Sequence, residues 1–277
     1  MRKIAKPTLD ISEIITDCIS NMTNENLKEA IEEGLSQIID AESEYDEKKA
    51  ENRLYEIVRD KEISLLVNKD ELKKIYKDRF SKSKHLARKY YDLLLFSAPG
   101  SRCPQCAVRI ATTLDHNLPK SKYPLLAVSP LNLIPSCSDC NKGKHIEYPT
   151  CSEEETIHPY YDDIEETRWL YCKVITVKPF LVSYYVKTEH PPLMNQRIIN
   201  HFESFQLNKL YTIHAAEAFS NDFGQLKKLF LSGGRDELLA QINDNFESCA
   251  QVNINSWQCT YYEGLLDCED FLNGHFI

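Results

Sequence analysis

No long hydrophobic run interrupts this 277-residue sequence; its apolar stretches, such as Leu93 to Phe96, are only a few residues long. A membrane-spanning helix needs roughly 20 consecutive apolar residues, so an integral membrane protein of the helical type is not expected. The N-terminus, MRKIAKPTLDISEII, lacks the uninterrupted apolar segment that directs secretion, and the expected location is the cytoplasm. There is no internal repeat and no low-complexity tract, which excludes solenoids and biased, disordered chains. With 42% apolar and 27% charged residues the composition is that of a folded protein, either one elaborate domain or two small ones.

Cysteine is what the chain does have, ten residues in all. A disulfide framework would suit a short secreted chain, which this is not. Four cysteines form two pairs, Cys103-Pro-Gln-Cys106 and Cys137-Ser-Asp-Cys140. At that spacing two turns can each offer two thiolates to one tetrahedral zinc ion. The other six, Cys18, Cys151, Cys172, Cys249, Cys259 and Cys268, show no such pairing and read as small apolar residues.

The net charge of -9 is unevenly spread. Residues 1–60 hold 8 basic against 15 acidic side chains and residues 150–277 hold 9 against 19, whereas residues 61–100 hold 10 against 5 and residues 101–149 hold 6 against 3. A basic middle attracts phosphate locally, while acidic ends suit a protein partner or solubility. The lysines between 69 and 89 fit either phosphate attraction or a solvated helix surface.

Periodicity makes the first hundred residues helical. Leu27, Ala30, Ile31, Leu35, Ile38 and Ile39 recur at helical spacing behind Thr23 or Asn24 as a cap, and Tyr45, Leu54, Ile57 and Val58 extend the pattern over 45–67. Asn68 and Glu71 resemble a capping arrangement that opens a basic helix to about Phe80, and another helix spans Lys84 to Phe96. After residue 100 the pattern changes. Residues 107–114 (AVRIATTL) read as a strand delivering Asp115 and His116 at its end, Leu131 to Pro135 as a return segment, and Cys137 to His145 as the start of a helix. Further on, WLYCKVITV and PFLVSYYVK read as paired strands, residues 194–231 as helical with a break at Ser232-Gly233-Gly234, and two short helices close the chain. The acidic clusters Glu153-Glu154-Glu155 and Tyr161-Asp162-Asp163 are expected to face solvent, and His85, His158, His190, His201, His214 and His275 to be structural.

Taken together, Cys103-x-x-Cys106, Leu114-Asp115-His116-Asn117-Leu118-Pro119-Lys120-Ser121, Asn132-Leu133-Ile134-Pro135 and Cys137-x-x-Cys140-Asn141-x-x-Lys144 resemble the HNH nuclease family in its zinc-supported form, over residues 101–145 only. The resemblance implies an α+β, mostly helical fold. Residues 101–149 would be a ββα-metal HNH core with four-Cys zinc knuckles, 1–100 a helical N-terminal region for partner docking, and 150–277 a mixed α/β extension. It implies a metal-dependent endonuclease that hydrolyses phosphodiester bonds, with DNA favoured and RNA such as tRNA the alternative. In those terms His116 is the general base, Asn132 fixes the hairpin that orients it, and Asp115 and Asn141 hold catalytic Mg²⁺ or Mn²⁺. Cys103, Cys106, Cys137 and Cys140 hold structural zinc. Some family members carry His where Asn141 stands, and Asn weakens the case for a nitrogen-loving catalytic metal. His145, one helical turn on, is a possible third ligand. Lys120, Lys142 and Lys144 are candidates for phosphate contact, or ordinary surface lysines.

A narrower resemblance, carried by the helical extension, HPYYDDI at 158–164 and the late SWQCTYYEGLLDCEDFL segment, is to PtuB-type HNH components of Septu antiphage systems, which also occur with retrons. It implies an ATPase partner of the PtuA kind. The competing class is a zinc-stabilised binding module without catalysis. The cysteines alone permit it, but a structural ribbon has no need of Asp115-His116 with Asn132 and Asn141.

Overall fold

The computed structural model describes residues 1–143, 148–187 and 189–277. They divide into two compact units, Arg2–Asp162 and Asp163–Ile277, the latter taking in Met1. The described residues are mostly helical, with two small antiparallel sheets of two strands each. None of their helices is long and apolar enough to cross a membrane.

The 2–162 unit opens with α1 (Ile11–Ile19), capped by the Asp10 carboxylate on the Ser12 amide at 2.7 Å. Its Ile11, Ile14, Ile15, Cys18 and Ile19 are buried, a stripe at helical spacing. Asn24 caps α2 (Glu25–Glu33), and Gly34 divides it from α3 (Leu35–Ala50). The helical pattern expected over 45–67 stops at Ala50. Asn52 and Asp60 take left-handed backbone conformations, which short polar side chains tolerate, and Ile57 is extended; the apparent periodicity comes from residues buried on an irregular path.

Asn68 caps α4 (Lys69–Lys74), its carboxamide accepting from the Asp70 and Glu71 amides, as the capping pattern predicts. The helix widens to a π turn over Ile75–Phe80. The next helix, α5 (Arg88–Phe96), starts later than the expected Lys84, because His85 takes a turn whose Nδ1 accepts the Ala87 amide.

The small sheet joins β1 (Thr113–His116) to β2 (Leu133–Ser136), with Asp115 opposite Ile134 and His116 opposite Leu133. It packs against α5 and is followed by α6 (Ser138–Gly143), which lies against β1. The strand expected at 107–114 therefore begins six residues late and contains Asp115 and His116. The β-branched run Val108, Ile110, Thr112 is spent on a cysteine turn instead, entered through a left-handed Ala107.

In the 163–277 unit, β3 (Leu170–Val177) and β4 (Phe180–Val186) form the expected hairpin, packed on α8 and α9. The helical stretch expected from 194 is two helices, α7 (Pro192–Ser204) and α8 (Leu207–Val252), because Gln206 turns left-handed between them. Gly234, at the expected break, leaves the helical conformation, yet helix resumes to Val252. Then come α9 (Trp257–Leu266) and α10 (Glu269–Leu272). In α9, Gly264 lies so close to β3 that a Cβ would sit 2.9 Å from the Cys172 carbonyl oxygen.

Candidate functional site

The four paired cysteines come together. Their sulfurs lie within 4.8 Å of one another and all four residues are buried. In the first turn the Cys103 amide donates to the Arg109 carbonyl at 2.8 Å and the Ala107 amide to the Cys103 carbonyl at 2.7 Å. In the second the Cys140 amide donates to the Cys137 sulfur at 3.4 Å, a contact that favours a thiolate. Hydrogen bonding from Cys103 lowers the Cys106 thiol below the ordinary range. A tetrahedral Zn²⁺ with Zn–S bonds of about 2.3 Å needs sulfurs about 3.8 Å apart, so the cluster can hold a metal such as zinc with little adjustment. Arg109 pairs with Asp139 at 2.9 Å between the two turns. The remaining cysteines carry no disulfide; Cys18, Cys172 and Cys259 are buried, the others half-buried.

Beside the cluster, Asp115 and His116 occupy successive positions of β1 and meet different neighbours. Asp115, 5% exposed, faces the first cysteine turn, where the Gln105 amide lies 3.4 Å from its Oδ2. Gln105 is held in turn by the Ser136 hydroxyl at 2.9 Å. His116 places Nε2 2.9 Å from the Ala127 carbonyl oxygen. A carbonyl can only accept, so Nε2 carries the proton and the lone pair of the neutral ring is on Nδ1.

The Tyr76 ring, from the π turn, meets the His116 ring edge-on with centroids 4.5 Å apart. Burial foremost, then the charges of Tyr91 and Asp115, pushes the Tyr76 hydroxyl well above its ordinary range, so Tyr76 stays neutral. Lys120 sits with Nζ 4.9 Å from the centre of the same ring. Burial lowers its pKa, partly opposed by the charge of Asp115.

Asn132 is fully buried. Its Oδ1 accepts the Leu118 amide at 2.7 Å, and its Nδ2 donates to the Leu118 and Leu126 carbonyls at 3.0 and 3.2 Å, closing the loop between β1 and β2. Asn141, half-buried on α6, turns its amide nitrogen toward Thr113 Oγ1 at 3.4 Å and the Leu114 carbonyl at 3.5 Å. Lys142 is exposed. Lys144 and His145 lie outside the described residues.

Two acidic residues are not where they were expected. Glu155 and Asp162 are buried rather than facing solvent, because both meet Lys49, at 2.7 and 3.8 Å. Tyr76, Gln105 and Ala127 escaped sequence reasoning. Only Gln105, inside a cysteine pair, carried a local signal; Tyr76 and the Ala127 carbonyl reach His116 through tertiary packing.

Set against known proteins, the chain matches no family model and no solved structure. It is 28% identical to protein ea31 of Escherichia phage lambda over 298 aligned positions, covering 99% of this chain and all of that protein. It is also 35% identical to the Septu protein PtuB of Bacillus thuringiensis over 80 positions, 26% of this chain and 30% of that one.

Proposed function

We propose that this chain is a metal-dependent endonuclease of the HNH type, hydrolysing phosphodiester bonds, with DNA the favoured substrate. The observation that carries the proposal is the donation from His116 Nε2 to the Ala127 carbonyl, which leaves the basic lone pair of a neutral imidazole on Nδ1. In this reading His116 Nδ1 takes the proton from the water that attacks phosphorus, at a pH where histidine needs no large pKa shift. Asn132 keeps the loop closed behind it. Asp115 and Asn141 supply a carboxylate and an amide oxygen, donors suited to Mg²⁺ or Mn²⁺; that ion, when bound, would neutralise charge developing on the phosphate. Lys120, with Lys142 and Lys144, would meet the phosphate backbone, which carries affinity rather than base preference. The four cysteines would hold zinc as a folding element for the hairpin and α6.

The similarity to a Septu protein and the acidic stretches 1–60 and 150–277 support a nuclease that works in antiphage defence with an ATPase partner. The end-to-end relative is a phage protein, so this setting rests on the shorter match. A pull-down from native cells should recover a larger protein with ATPase activity; a fully active chain with no co-purifying partner contradicts that part. The nuclease itself is tested by cleavage of plasmid DNA, single-stranded DNA and total RNA, with and without EDTA. His116→Ala should lose on the order of 10²- to 10⁴-fold in rate. Cleavage indifferent to EDTA and to His116→Ala would instead favour a zinc-stabilised binding module.

A further inference from the structure

Four polar residues of α3, Glu42, Tyr45, Asp46 and Lys49, recur at the i, i+3, i+4, i+7 spacing of one helix face. Such a stripe on a helix ordinarily faces water. Here Tyr45 and Lys49 are buried, and each member of the stripe bonds to a segment far along the chain. Glu42 accepts the Ser129 hydroxyl, in the loop between β1 and β2. Asp46 accepts the Tyr161 hydroxyl at 2.9 Å, and Lys49 pairs with Glu155 at 2.7 Å.

Tyr45 lies between two segments. Its hydroxyl oxygen is 2.9 Å from Asn117 Nδ2, which donates to it, and 3.0 Å from His158 Nε2. His158 Nδ1 accepts the Tyr160 amide at 3.2 Å, so Nε2 bears the ring proton and also donates to Tyr45. The Asp162 carboxylate accepts the His158 amide at 2.7 Å and so secures the turn that presents the ring. Asn117 directly follows His116, and its own amide donates to the Asn132 carbonyl at 2.8 Å.

We infer that the α3 stripe and the His158–Asp162 turn form a brace for the active-site hairpin, acting through the Tyr45 hydroxyl on Asn117 to hold His116 in register with the Ala127 carbonyl. Apolar packing would fill the same volume without the cost of burying a lysine, two carboxylates and a histidine. What the polar arrangement adds is direction: each bond admits one orientation of its partner. Tyr45 is thus a positioning residue, since it touches neither water nor phosphate in the proposed reaction. Burial holds its hydroxyl far above the ordinary range, so the node stays neutral throughout the physiological pH range.

The inference rests on the nuclease reading, and the experiment separates the two. Tyr45→Phe and Asn117→Ala are made in the full chain, each keeping or shortening a side chain without adding bulk. Both should lower kcat on the order of ten- to a hundredfold, with KM and zinc content unchanged, as expected for a misplaced base. The double variant should be no slower than either single one, because both break the same link. In ¹⁵N-histidine NMR, with His116→Ala assigning the signal, wild-type His116 should show the Nε2–H tautomer, and both variants should shift it toward a tautomer mixture. That signal needs no turnover. Unchanged His116 resonances, wild-type kcat, or losses that simply add and come with lost zinc would overturn the brace. Cleavage that survives His116→Ala would overturn the nuclease reading instead, and the NMR signal would then judge the brace alone.

Discussion

The 2–162 and 163–277 units both bury polar side chains, but in different arrangements. In 2–162 the interior holds Lys49, Gln105, Asp115, His116, Asn132, Glu155, His158 and Asp162, polar groups bonded to one another or to main chain. The 163–277 unit also buries Arg197, His201, Ser204, Asn255 and Thr260, among stacked aromatic rings: Phe180 stacks on Phe219 with centroids 3.9 Å apart, and Phe271 on Phe276 at 4.5 Å. Burying polar groups rarely stabilises a fold relative to apolar packing. What sets 2–162 apart is that its buried Lys49, Glu155 and Asp162 form one ionic cluster and that four of its cysteines converge.

That difference can be broken by mutation, most severely at the cysteine cluster. Cys137→Ser leaves three thiols, so zinc should fall from about one ion per chain to none and the 2–162 unit should lose its cooperative melting transition, while 163–277 retains its own. Elemental analysis with calorimetry reads both, and a zinc-free protein with two intact transitions would dissolve the distinction. Next in size, Lys49→Ala strands the buried Glu155 and Asp162 and should cost about 3–5 kcal/mol in denaturant unfolding of 2–162. A loss under 1 kcal/mol would mean that water reaches those carboxylates.

The opposite unit supplies the control. Gly264→Ala forces a methyl against the Cys172 carbonyl and should cost about 1–3 kcal/mol without altering the His116 ring signal or the zinc content. If either moved, the two units would share more than a chain.

The smallest effect belongs to Glu42, whose carboxyl is raised from its ordinary 4.5 to about 7, first by burial and also by the charges of Asp10 and Asp46, with the bonds from Ser129 and Leu131 opposing. The folded protein then holds a proton that the unfolded chain has released. Stability from this group is full below about pH 4.5 and falls as pH rises through about 7. Glu42 is partly open to solvent, so the slope should amount to about 1–2 kcal/mol, and Glu42→Gln should flatten it. Parallel stability curves for the two proteins between pH 4.5 and 8 would remove Glu42 from the account.

Local signals in the sequence carried the parts of the fold that local chemistry decides. Asn24 and Asn68 cap the helices they were expected to cap, the two strand pairs form, and both Cys-x-x-Cys turns converge. Where the structure departs, a distant partner has overruled a local pattern. The β-branched residues after Cys106 would make a strand in isolation, but the Cys103 and Arg109 main chains bond to each other and turn them into a knuckle. The polar positions Glu42, Asp46 and Lys49 of α3 give no local sign of burial, because their partners Ser129, Tyr161 and Glu155 lie 87 to 115 residues away. Asp115, His116, Asn132 and Asn141 stand out as candidates through their order along the chain. Tyr76 and the Ala127 carbonyl, which give His116 its surroundings, were not, since neither a ring from a π turn nor a main-chain oxygen has a sequence signature.

The central claim, that Asp115 and His116 do different work at one site, is tested most directly by titrating Mg²⁺ and Mn²⁺ against the cleavage rate of the wild type, Asp115→Ala and His116→Ala. Losing a ligand weakens metal affinity, whereas losing a base removes a step that more metal cannot supply. Asp115→Ala should regain part of its rate at high metal, and His116→Ala should stay on the order of 10²- to 10⁴-fold slow at every concentration. Recovery of His116→Ala by metal, or identical flat curves for the two variants, would contradict it.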